Sequence, residues 1–373
     1  MKHLILIFIL SPVFLGCAQQ KQNDITISTV NKNYTTEVVV PNLQVPWAMA
    51  WLPDMSMLIT ERNGDLIHFK NGQKTKVQTN LSDIYVRGQG GLLDIILHPD
   101  YENNGWIYFS YASSQGDDGG GNTKLIRAKL QDNNLTQIET LYKAIPNTTR
   151  GQHFGSRIVF DNNGYLFLSI GDRGNHDQNP QDLTRDGGKI YRFNDDGSIP
   201  SDNPFFNVAD AKKAVFSYGH RNPQGMTLNP KTGKLWSHEH GPQGGDEINI
   251  IEMGRNYGWP LITYGIDYDG SIISDKTENP KMEQPIYYWT PSIAPSGMMF
   301  VTSDKYPDWK GHLLVGSLKF QYLELVKLDE NEIIAREKVL EDIGRLRDVR
   351  QGPDGYIYAG VEGIGIVKII PKK

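Results

Sequence analysis

Cysteine is almost missing from this sequence. Cys17 is the single example, so no intramolecular disulfide can form and a cysteine-based metal cluster is excluded. Long apolar runs are also scarce: beyond the N-terminus no stretch reaches the ~18 apolar residues that a transmembrane helix needs. A basic excess is lacking as well. The chain carries 38 Lys and Arg against 43 Asp and Glu, a formal charge of −5, and no basic stripe stands out, which argues against nucleic acid as the main partner. Nor is there convincing helical periodicity over more than about two turns. What is present is ordinary for a folded domain: 10% aromatic and 22% charged residues, with 38 glycines. Those values exclude disorder for most of the chain.

The N-terminus reads separately. Lys2 precedes an apolar run from Leu4 to Leu15, broken only by Ser11 and Pro12. It is too short to span a bilayer and has the length and flanks of a secretory leader. Phe14-Leu15-Gly16-Cys17 resembles a bacterial lipobox, which implies cleavage before Cys17 and a lipid on that residue. The expected organisation is a lipoprotein-type signal peptide over 1–16, a flexible polar tether over 17–33, and one folded domain over 34–373. The chain is then exported and held by lipid at a bacterial membrane, facing the periplasm or the exterior.

One pattern recurs in the rest: a short apolar strand, a turn of Pro, Asp, Asn or Gly, then an aromatic-rich strand. It starts at Trp51, Leu97, Val159, Thr227, Phe300 and Arg350. Gly and Asx residues at the turns supply the positive φ of tight hairpins, and Ile, Val, Tyr, Phe and Trp alternate along half-buried strands. A second hairpin signal follows each unit. Four strands repeated six times predict an all-β, six-bladed β-propeller. The segment from Tyr34 completes the last blade and removes the exposed edges.

Short polar clusters sit after or between these strands: GQGGLLD from Gly88, GQHFGSRIVF from Gly151, IGDRG from Ile170, GHRNPQG from Gly219, HEHGPQGGDEIN from His238, NYGWP from Asn256, SLKF from Ser317 and GRLRDV from Gly344. On residues alone each can be plain turn chemistry. Together they place a histidine, several cations and two amides in one class of loop. In a propeller such loops converge on one end of the central channel, where a ring of cations suits a small ligand with several carboxylates. Asp267, Asp269 and Gly270 match only part of a calcium loop and read as a turn.

GHRNPQG, followed by HEHGPQGGDEIN and NYGWP, resembles the quinoprotein glucose/sorbosone dehydrogenases, and in particular the soluble aldose sugar dehydrogenases. The likeness runs from about Gln44 to the C-terminus. It implies pyrroloquinoline quinone (PQQ) and Ca²⁺ as cofactors, an aldose substrate oxidised at C1 to the lactone, and an electron acceptor whose identity the sequence does not give. Residue by residue it implies His153 as general base with Asp172 beside it. It implies Gln89, Arg221, Asn222, Lys319, Arg345 and Arg347 as cofactor-binding residues. For calcium it implies Gly241, Pro242, Glu247 and Tyr257. YWTPSIAPSG from Tyr288 and GDRGNHDQNP from Gly171 depart from the better-known glucose enzymes on the substrate side, which sets glucose preference apart from cofactor binding. Without the likeness, a propeller binding carbohydrate or protein through the same face, with no catalysis, is the alternative.

Overall fold

The computed structural model describes residues 27–29 and 33–372. The leader and Cys17 lie outside the described residues. Six sheets of antiparallel strands follow one another along the chain. Their first strands are Pro46–Trp51, Leu92–Leu97, Ile158–Phe160, Pro223–Leu228, Pro295–Phe300 and Leu346–Gln351. Each of these packs on the next in a closed cycle around a central channel, the last returning to the first. This is a six-bladed β-propeller.

Burial explains why the blades stay together. Six apolar clusters fill the six spaces between neighbouring blades, from Trp47, Leu58, Leu92 and Phe109 between blades one and two to Met49, Ile59, Tyr358 and Ile366 between blades six and one. Each fully buried Leu, Ile or Phe contributes roughly 1.5–3 kcal/mol. Tyr34–Pro41 pairs antiparallel with Gly365–Pro371 and supplies the outer strand of blade six. The ring is thus closed by joining the two ends of the chain. Among the described residues the one α-helix is the single turn Tyr101–Asn104.

The tether differs from expectation at three residues. Ile27–Thr29 runs parallel to Glu332–Leu340 as a fifth strand of blade five. Polar composition suggested a flexible segment, yet a short run with β-branched Ile27 and Thr29 suits pairing on an otherwise open edge.

Topology then fixes where chemistry can gather. In every blade the loop entering the first strand and the loop leaving the second lie at the same end of the channel. Gln89, His153, Arg221, Asn222 and Arg345 stand in or beside entering loops. Asp172, Gly241, Pro242 and Lys319 follow second strands. On or beside the inner strands, Arg157 and Arg350 are each ion-paired with both Asp94 and Asp348 at 2.5–3.1 Å.

Candidate active site

His153 and Asp172 come from successive turns of blade three, the first entering Ile158–Phe160 and the second leaving Leu166–Ile170. The loops touch closely. A Cβ at Gly171 would lie 2.3 Å from the His153 carbonyl oxygen, so glycine is required there. His153 itself has φ 56°, a conformation that non-glycine residues adopt at a cost and that concentrates at functional sites. Its backbone N–H donates to Gln89 Oε1 at 2.8 Å, which ties blade two to the same point.

The imidazole Nδ1 lies 2.7 Å from Asp172 Oδ1. Asp172 is 1% exposed; Oδ1 also accepts from Gly174 N, and Oδ2 accepts from the Trp259 indole at 2.9 Å. Burial alone would push this carboxyl up, but the His153 charge, the Arg221 charge and these hydrogen bonds outweigh it and hold it below its usual value. Asp172 therefore stays ionised and accepts the Nδ1 proton, which leaves Nε2 of His153 as the basic nitrogen. Burial also lowers the His153 pKa, aided by Arg221 and opposed by Asp172. The imidazole is therefore neutral at pH 7.

These groups line a cleft of about 330 Å³ together with Gln89, Arg221, Pro242 and Trp259. Two buried donors are unpaired, one on Arg221 in its lining and one on the next residue, Asn222. Arg221 Nη1 is bonded to the carbonyls of His240 and Gly241, at 3.1 and 2.9 Å, but buried Nε has no partner. Asn222 Oδ1 accepts from Gly155 N at 3.1 Å while its buried Nδ2 has none. Buried donors without acceptors are costly; here they fit a ligand rich in carbonyl and carboxylate oxygens, as PQQ is.

A smaller cavity of about 10 Å³ adjoins it, lined by Arg221, Glu239, Gly241, Glu247, Tyr257 and Trp259. Glu239 and Glu247 are register partners on adjacent strands, a like-charge pair that is unfavourable unless neutralised. Burial, then the Glu239 charge, raises the Glu247 pKa well above the ordinary range. A space of one-ion size beside two carboxylates and a carbonyl suits a hard cation such as Ca²⁺. No cluster of three or more His, Cys, Asp or Glu with metal-binding geometry occurs among the described residues, so main-chain oxygens would have to complete the shell.

The cations of blades five and six stand at the same end of the channel but outside the lining of the His153 cleft. Arg345 Nε and Arg347 Nη2 both bond Glu362, at 2.8 and 2.7 Å, and Arg347 Nη1 donates to Gln224 at 3.1 Å. Lys319 is exposed, its ammonium 5.2 Å from the Phe320 ring. His238 is buried and His240 half-buried, with His240 Nε2 2.5 Å from the Pro295 carbonyl oxygen. Asp267–Gly270 forms a turn closed by Gly270 N on the Asp267 carbonyl. Sequence reasoning missed Glu239 and the bond from Trp259 to Asp172, although both residues lie inside motifs it singled out.

The sequence model described as Glucose / Sorbosone dehydrogenase matches residues 43–366. The chain belongs to that family. It is 44% identical over 338 residues to the aldose sugar dehydrogenase YliI of Escherichia coli K12, covering 89% of this chain and 90% of that one. The crystal structure of the soluble aldose sugar dehydrogenase from Escherichia coli in the apo-form superposes with a TM-score of 0.87 at 40% identity, covering 91% of this chain and all of that one. The PQQ-bound form of aldose sugar dehydrogenase from Streptomyces coelicolor gives 0.74 at 26% identity, covering 91% and 98%. The likeness first seen in the GHRNPQG and HEHGPQGGDEIN motifs thus extends over the whole ring, and this member of the family is an oxidoreductase.

Proposed function

We propose that the chain oxidises aldoses at C1 to aldonolactones, with PQQ and Ca²⁺ as cofactors and His153 as general base. The observation that carries this is the His153–Asp172 pair in the same cleft as Arg221, whose buried Nε is unpaired, with the unpaired Nδ2 of the next residue, Asn222. When bound, PQQ supplies the hydride acceptor and Ca²⁺ the polarising charge. Arg221 and Asn222 would hold the cofactor, with Gln89 lining the same cleft. Lys319, Arg345 and Arg347 would meet its carboxylates from the neighbouring blades. Carbonyls of Gly241, Pro242 and Tyr257, with the Glu247 side chain, would hold the cation.

The chain's own part in the reaction is proton management. The C1 hydroxyl gives its proton to Nε2 of His153 as the C1–H hydride leaves, so the carbon loses two electrons and becomes the lactone carbonyl. Asp172 fixes the ring through Nδ1–H and stabilises the imidazolium. Trp259 and Gly174, bonded to Asp172, keep that carboxylate from swinging into the cleft.

Protein made without PQQ should be folded and inactive. Adding PQQ and Ca²⁺ should restore sugar-dependent reduction of an artificial acceptor, and a chelator present from the start should prevent it. No reduction with any aldose of a broad panel, despite bound PQQ, would defeat the reading. The leader and Cys17 support export and lipid attachment; mass spectrometry of the mature N-terminus tests this, and an unmodified terminus downstream of Cys17 would refute it.

A further inference from the structure

Asp172 and Arg173 are neighbours on one loop, and His153 and Phe154 on the other. The first members of each pair meet at the cleft. The second members meet behind them: the Arg173 guanidinium carbon lies 3.4 Å from the centre of the Phe154 ring. Arg173 is 0% and Phe154 2% exposed. Gly90 leaves room for that ring, since a Cβ there would come within 2.9 Å of two ring carbons.

The guanidinium is held by one nitrogen. Nη2 donates to the Arg150 carbonyl at 2.7 Å and to the Gly121 carbonyl and Thr148 Oγ1, both at 3.2 Å. Nε and Nη1 are buried with no partner; no carboxylate is hydrogen-bonded to the group, and the nearby Asp172 charge offsets its burial only in part. Burial pushes the Arg173 pKa down to about 9. A buried, unneutralised cation is expensive, and an apolar side chain of similar volume would fill the space at lower cost. The arrangement therefore calls for a role beyond packing.

We propose that Arg173 is a positioning residue for His153: stacked on Phe154 and bonded to the 148–150 segment, it locks the loop bearing the base against the loop bearing Asp172. Its charge has a second effect. The groups acting on the imidazole are Asp172, Arg221 and Arg173, with Arg150, His176 and Asp267 around the cleft. Asp172 favours the imidazolium; Arg173 and Arg221 oppose it. Burial does most to keep the imidazole unprotonated; the stack orients it, and the Arg173 charge adds to the effect of burial and Arg221. The proposal rests on the reading of His153 as base.

The test uses the full-length protein without PQQ, Ca²⁺ or sugar, labelled on histidine and followed by NMR, with His153→Gln identifying the signal. Arg173→Met keeps bulk and removes charge. It should raise the His153 titration midpoint by about half to one pH unit. Exchange of the Nδ1 proton with solvent should quicken about tenfold as the loops open more readily. Arg173→Lys keeps the charge but not the planar stack, so its midpoint should stay near wild type while exchange quickens. Phe154→Leu should resemble Arg173→Lys, and these two carry the test if Arg173→Met does not fold. A purely structural arginine would lower melting temperature without separating the Met and Lys variants in midpoint. Wild-type midpoint and exchange in all folded variants would overturn the proposal. Failure of the base reading shows elsewhere: full activity in His153→Gln overturns that reading while leaving a shifted midpoint in Arg173→Met intact.

Discussion

At one end of the channel a cleft of about 330 Å³ is surrounded by buried polar groups that are strained or unpaired: His153 at positive φ, Arg221 Nε, Asn222 Nδ2 and the guanidinium of Arg173. At the other end lie larger hollows of about 780 and 430 Å³, lined by Met55, Pro99 and Tyr101 or by Met226, Met298 and Phe300. The charges above that second hollow, Arg157 and Arg350, are matched by Asp94 and Asp348. Volume alone points away from the residues that the family motifs bring together. Chemistry is marked instead by polar groups whose partners the protein does not itself supply, because such groups lower stability and persist where a ligand completes them.

The strongest way to break this contrast is His153→Gln. Sugar-driven reduction of the PQQ-loaded protein should slow by about 10²–10⁴-fold, with PQQ still bound, as stopped-flow absorbance would show. Near-wild-type rates would reduce the cleft to a binding site with an unassigned base. Arg221→Ala comes next. If its guanidinium pairs with a buried carboxylate of PQQ, affinity should fall by roughly 2–5 kcal/mol, measured by fluorescence titration. Unchanged affinity would remove Arg221 from the cofactor site.

A smaller effect concerns pH. Burial holds His153 and His240 below the usual imidazole range and His238 at about 3. The unfolded chain then binds protons near pH 6.5 that the folded chain refuses. Stability is fully present above that value and should decline as pH falls through it. Buried Asp246, raised to about 6, and Glu247 pull the other way over the same range. The slope of urea midpoints between pH 8 and 5 is therefore compared with that of His238→Gln, and equal slopes would contradict neutral burial of that ring. The smallest effect is expected at the far end. Met55, 53% exposed beside the hollow of about 780 Å³, should tolerate Met55→Ser with unchanged activity and a stability change within about 0.5 kcal/mol. Lost activity in that variant would mean that the two ends communicate.

The ring was legible because its signals are local. Turn residues between alternating strands report on their own hairpin, and six repeats leave few architectures. The segment from Tyr34 was also placed, since a circular sheet needs an outer partner for its last strands. At the site, motif likeness located His153, Asp172 and Arg221 in one cleft. It did not reveal Arg173, because stacking on Phe154 depends on the approach of two loops, and nothing in the spacing of IGDRG encodes it. Glu239 was hidden for the same reason: its neighbour Glu247 is set by strand register. The pairing of Arg345 and Arg347 with Glu362 again joins two loops of one blade. Ile27–Thr29 escaped notice because three residues are too few for a period and their partner strand lies near the other terminus.

The seam in blade six carries a consequence for how the molecule is made. Within blade six, Tyr34–Pro41 is synthesised first and its neighbour Gly365–Pro371 last. A chain emerging N-terminus first must keep its opening strand in waiting while five blades accumulate, and it becomes a closed ring only when the final few residues arrive. The latch is therefore a checkpoint on completeness: a product truncated by a handful of C-terminal residues leaves an exposed strand at each side of a gap, open to proteases and to pairing with other chains.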